Sequence, residues 1–210
     1  MSYSFKIIKK GNSVYPRSFQ NKFVSTRYPR IWAIGNLDIL DKKLLGFFCS
    51  VKCPGNVILK TYDLARELRN AGIPVISGFH SPIEKDCLEL LLKGTQPIVN
   101  CPARGIENMR IPKAWLKALT ENRLLIISPF EPKHRRPTTK LAEQRNKFSA
   151  YLANKIFVAH ASETSQTERF CAEIIKLNKQ IHTFNIKENY RLSQFGVVKV
   201  STRALIADFK

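Results

Sequence analysis

From residue 44 onward, short apolar runs closed by Gly, Pro or Ser alternate with helical patterns, and this alternation constrains the fold more than any other feature of the chain. A strand covered on both faces must be apolar at consecutive positions, because neither side of it meets water. Runs of that kind, separated by helices, build a parallel sheet clothed on both faces. The expected strands are residues 44–51 (LLGFFCSV), 73–79 (IPVISGF), 96–101, 124–130 (LLIISPF), 155–159 and 180–184. Helices are expected over residues 57–71, 85–93, 111–122 and 141–153, and another follows a Ser/Thr-rich turn at 162–167. The first carries Leu59, Leu64 and Leu68 on one face and is closed by Gly72. The expected fold is an α/β, Rossmann-like three-layer sandwich with a mostly parallel sheet of about six strands or more.

Residues 1–43 hold Tyr15-Pro16, Tyr28-Pro29 and Gly35-Asn36 between short apolar pieces, the pattern of a lead-in packed on the core. Residues 44–185 make the Rossmann-like domain, and residues 186–210 a tail with one more strand at 197–200. The start has no apolar stretch of a secretory signal, and no later run approaches the ~20 residues that span a bilayer. A cytoplasmic protein with no membrane contact is expected. Cys49, Cys53, Cys87, Cys101 and Cys171 are scattered among apolar residues without a second pair at zinc spacing. They are expected to be buried free thiols, with no metal.

Lysine and arginine number 35 against 16 acidic residues, a formal net charge of +19. Such a field gathers polyanions, so nucleic acid is the first partner to consider. The carboxyl ends of the strands carry small and hydroxyl residues: Ser50 with Gly55, Ser77 with Gly78, and Ser162, Thr164, Ser165 and Thr167. Ligands of open parallel sheets bind there, where helix N-termini present free N–H groups, and these residues form a candidate phosphate cradle. Ser and Thr are also the ordinary N-caps of helices, so any one turn has a simpler explanation. No GxGxxG follows the first strand and no GxxxxGK[ST] occurs, which disfavours dinucleotide and Walker-type sites and leaves no cofactor expected. Lys52, Arg104, Lys133, Arg135, Arg136, Lys140, Arg145 and Lys147 all follow strands toward the same sheet edge and are the candidate nucleic-acid contacts. Arg145 and Glu168 are the one candidate catalytic pair, expected to meet over a strand end.

Tyr15-Pro16, Gly35-Asn36, Ser77-Gly78, Arg145-Asn146-Lys147 and the Ser165-Gln166-Thr167 turn occur in an order and spacing that resembles the DprA/Smf DNA-processing family over about residues 15–185. The resemblance implies an extended Rossmann sheet, binding of single-stranded DNA, a homodimer, and a RecA-type recombinase as partner in recombination or DNA uptake. Lys52 stands where that family usually has an arginine. The related LOG-type proteins, nucleoside monophosphate N-glycosidases, place an Arg and a Glu near the positions of Arg145 and Glu168. Their glycine-rich turn is replaced here by ASETSQT, residues 161–167. A nucleotide-sensing module that acts through a protein partner is the third reading.

Overall fold

The computed structural model describes residues 5–19 and 22–209. Its strands are β1 (Phe5–Lys9), β2 (Arg30–Gly35), β3 (Leu45–Phe48), β4 (Val75–Ser77), β5 (Ile98–Asn100), β6 (Leu124–Ser128), β7 (Lys155–Val158), β8 (Ile181–Phe184) and β9 (Val198–Val200). The helices are α1 (Lys22–Arg27), α2 (Gly55–Asn70), α3 (Pro82–Leu92), α4 (Lys113–Thr120), α5 (Thr139–Leu152), α6 (Gln166–Lys176), α7 (Tyr190–Gln194) and α8 (Thr202–Ala207). One nine-stranded sheet runs in the order β1-β2-β6-β5-β4-β3-β7-β8-β9. From β6 to β9 every pairing is parallel, and β1 and β2 add to the β6 side in antiparallel fashion. The expected mostly parallel α/β sandwich is the observed one, and the lead-in and tail each extend the same sheet.

The parallel strands are apolar because they are covered twice. On one face the side chains of α2, α3 and α4 pack against Leu45, Val75, Ile98 and Leu124. On the other, α5 and α6 join the lead-in over Phe48, Ile76, Val99 and Leu125. The apolar face of α2 is Val57, Leu64, Ala65 and Leu68, with Leu59 two-thirds exposed rather than on that face. At about 100° per residue, Leu59 lies about 140° around the helix from Leu64, so the two leucines cannot share a face.

The lead-in fixes α5. The Tyr15 hydroxyl donates to the Tyr28 carbonyl at 2.7 Å, the ring of Phe19 stacks on Tyr28, and Phe148 of α5 meets both edge-on. Edge-to-face aromatic pairs of this kind add to the burial of large rings. Gly35, at φ 105°, ends β2 where a Cβ would lie 2.2 Å from the Leu124 carbonyl oxygen, so only glycine lets the antiparallel pair close.

Candidate functional site

The chain leaves β3 toward β4, β5 and β6, then returns through α5 to β7 on the other side of β3. Connections diverge at this reversal and open a crevice beyond the carboxyl ends of β3 and β7. A cleft of about 360 Å³ occupies it. Ser50, just after β3, donates its backbone N–H to the His160 carbonyl at 3.0 Å and accepts the Ser162 N–H on its Oγ at 3.2 Å. The same hydroxyl donates to Ser165 Oγ at 3.2 Å. Between Ser162 and Ser165 the chain turns tightly, with the Ser165 N–H on the Ser162 carbonyl at 3.1 Å and Thr164 at φ 57°. A positive φ is uncommon for a β-branched residue and marks a constrained turn. Ser165 then caps α6 by accepting the Glu168 N–H at 3.1 Å. Ser50, Ser162, Thr164, Ser165 and Thr167 thus line one cleft, with exposed Lys52 at its edge.

Three of the expected cradle residues lie elsewhere. Gly55 opens α2 on the surface, outside the cleft lining, with open space where a Cβ would project. Ser77 is fully buried and its Oγ accepts the Phe79 N–H at 3.2 Å. Gly78 makes room for a side chain instead of a phosphate: a Cβ there would stand 1.4 Å from Arg145 Nη1. The guanidinium of Arg145, only 3% exposed, lies over this glycine. Its Nη1 donates to the Cys101 carbonyl at 3.0 Å and its Nε to the Asn146 side chain at 2.7 Å. Burial lowers its pKa, while Glu84 and the Cys101 thiol act in the opposite direction.

The expected meeting of Arg145 with Glu168 does not occur. Glu168 accepts the Thr164 N–H on one oxygen at 2.8 Å and pairs with Arg191 on the other at 2.5 Å. Both of its oxygens are engaged in holding the turn, and among the described residues no carboxylate lies within 4.0 Å of Arg145. The carboxylate that organises the other wall is Glu84, a residue to which sequence reasoning assigned no role. It accepts the N–H groups of Cys49 at 2.9 Å, His80 at 2.8 Å and Ser81 at 3.3 Å, tying the end of β3 to the start of α3. Its signal was present as Ser81-Pro82-Ile83-Glu84, a capping box at the head of α3.

Two further clefts extend the edge. One of about 350 Å³ is bordered by His80, Lys85, Arg104 and Arg145, and one of about 290 Å³ by Arg104 and Arg135. They share Arg104, and the first shares His80 and Arg145 with the crevice, so the openings form a continuous rim. Two bonds hold this rim: the loop-to-loop bond of the Gly105 N–H to the His134 carbonyl at 2.8 Å, and that of Ser128 Oγ, at the end of β6, to the Arg104 carbonyl at 2.7 Å. Among the described residues, Lys52, Lys85, Arg104, Arg135, Arg136 and Lys140 have no acidic side chain within 4.0 Å. Arg136 and Lys140 are exposed in the β6–α5 connection and at the start of α5, but line none of the three clefts. Lys133 is paired with Glu131 at 2.8 Å and Lys147 with Glu173 at 2.7 Å. Lys85, absent from the expected contacts, follows the second strand by position and could have been named on that ground.

All five cysteines are free, and each except the half-buried Cys53 is buried. A hydrogen bond to Cys53, reinforced by burial, pushes the Cys49 thiol up and leaves it protonated. Burial lowers the pKa of His80, and Arg145 adds to that effect. Among the described residues no helix is long and apolar enough to cross a membrane, and no cluster of acidic, His and Cys side chains could hold a metal ion.

Residues 6–201 match the family described as DNA recombination-mediator protein A. No curated protein matches the chain. Among solved structures, DNA processing protein A from Streptococcus pneumoniae superposes with a TM-score of 0.80 at 19% identity, covering 98% of this chain and 75% of that one. DNA processing protein A from Helicobacter pylori, described for its single-stranded DNA binding mode, gives 0.78 at 15% identity, covering 98% and 95%. The molybdenum cofactor carrier protein from Chlamydomonas reinhardtii gives 0.54 at 14% identity, covering 80% and 96%, a likeness of fold.

Proposed function

The chain belongs to the DNA recombination-mediator protein A family, and from that premise we propose that its carboxyl-edge rim holds single-stranded DNA by the phosphates, in the service of recombination or DNA uptake. The observation that carries this reading is the set of cations with no acidic partner among the described residues, Lys52, Lys85, Arg104 and Arg135, around three clefts that share lining residues. A cation already paired with a carboxylate gains little by meeting a phosphate, whereas an unpaired one releases the phosphate's counterions. The hydroxyls of Ser165 and Thr167 and the free N–H groups of the first turn of α6 add donors at the crevice. The relative from Helicobacter pylori binds single-stranded DNA, which agrees with the proposed ligand.

Affinity for a single-stranded oligonucleotide across a salt series tests the proposal. Replacing Lys52, Lys85, Arg104 and Arg135 together by Ala flattens the slope of log affinity against log salt by about 3 units, since each phosphate contact on a single strand contributes about 0.7. An unchanged slope removes the rim from the binding surface.

A further inference from the structure

The neighbouring parallel strands β4, β5 and β6 each end on a polar residue, Ser77, Asn100 and Ser128, and the two serine hydroxyls accept the N–H groups of Phe79 and Phe130. Ile98 and Val99 are wholly buried and Asn100 is 4% exposed, paired in register with Ser77 and Ile126. The Asn100 side chain makes no hydrogen bond to any described residue, and it lines the 350 Å³ cleft between the ends of β4 and β5 and the helices α3 and α4. The buried Asn189 amide, by contrast, is satisfied: its Nδ2 donates to Thr183 Oγ1 at 2.7 Å and to the Ala159 carbonyl at 2.9 Å, and its Oδ1 lies 2.9 Å from His160 Nδ1. An amide that opens onto a cleft and has no protein partner keeps its donor and acceptor available to a ligand that supplies complementary groups.

The walls around this amide select the ligand. Phe79, Leu88, Met109 and Trp115 give the cleft apolar sides, while Lys85 and Arg104 stand among the residues that border it. An apolar slot with a donor and an acceptor side by side suits a flat heteroaromatic ring, and an Asn amide pairs with adenine through N6 and N7. A phosphate fits the bordering cations and not the apolar walls. We propose that this cleft is a base subsite in which Asn100 hydrogen-bonds the edge of one nucleobase while its neighbouring phosphates lie on Lys85 and Arg104. The inference rests on the reading of the rim as a single-strand surface and adds base recognition to it.

The test compares an oligonucleotide made only of abasic residues with four others carrying a single central A, C, G or T, followed by fluorescence anisotropy at fixed salt. Wild type binds at least one of the four about fivefold or more tightly than the abasic strand, and the base alters the emission of Trp115. Asn100→Leu loses that gain and keeps its affinity for the abasic strand. Equal binding of all five strands, or a gain that survives Asn100→Leu, overturns the base subsite. Should Asn100→Leu fail to fold, an emission change that persists in Trp115→Phe does the same. Failure of wild type to bind the abasic strand in a salt-dependent way defeats the rim reading instead, so the two failures are distinct.

Discussion

The crevice at β3 and β7 and the rim beyond β5 and β6 use charge in opposite ways. At the crevice, Glu84 takes three backbone N–H groups, Glu168 takes one N–H and an arginine, and Arg145 is buried against a carbonyl. On the rim, Arg104 and Arg135 lie in loops beside open clefts with no acidic partner among the described residues. A buried charge stripped of its partners is costly, so crevice charges hold the backbone in place. An exposed, unpaired cation contributes little to folding and remains available to a ligand. Stability and ligand capture are therefore assigned to different residues that lie side by side.

Mutations can break or sharpen this division. The largest effect is expected from Glu84→Ala, which leaves the N–H groups of Cys49, His80 and Ser81 unpaired and removes the carboxylate that faces Arg145. A loss of about 3–5 kcal/mol in a urea titration is expected, and a loss under about 1 kcal/mol would erase the contrast with the rim. Gly78→Ala forces the Arg145 guanidinium from its seat, and overpacking of this kind costs about 1–3 kcal/mol by the same titration. On the rim, Lys52→Ala leaves stability within about 0.5 kcal/mol and lowers the salt slope of single-strand binding by about 0.7. Lys147→Ala leaves that slope unchanged, because Glu173 already holds the ammonium; equal slopes for the two variants would contradict the assignment.

The smallest effect concerns pH. Burial lowers the pKa of His182, whose Nδ1 has no partner, and of His80. A base with a depressed folded pKa takes up its proton first in the unfolded chain. Stability from these histidines is thus full above about pH 6.5 and falls as pH drops below it. His182→Leu combined with His80→Gln should flatten that decline between pH 7.5 and 5.5 in denaturation midpoints.

The strands were legible because their signal is local. Residues 124–130 read LLIISPF, and β6 occupies Leu124–Ser128, since an unbroken aliphatic run stopped by proline has few alternatives. Strand order was not legible, because the return of β7 to the side of β3 depends on pairings far apart in sequence. The same distance hid the partner of Glu168: Arg191 lies in the five-residue helix α7, which carries no strong periodic signal. Gly78 was visible as a small residue at a strand end, yet its neighbour was not, because Arg145 is 67 positions away and arrives over the opposite face of the sheet. Sequence position could name the charges at the edge, but only the folded chain separates those already engaged from those left open.

Helix α5 begins at the cationic loop and carries Arg145 in its middle, while Phe148, nearly one turn later, is wedged among Phe19 and Tyr28. The openings on either side of Arg145 therefore share a stiff strut and cannot drift apart independently. If the proposed single strand lies along the rim, its backbone has to adapt to that fixed spacing. Linkers that lengthen or shorten the gap between neighbouring phosphates should weaken attachment even when every charge is retained.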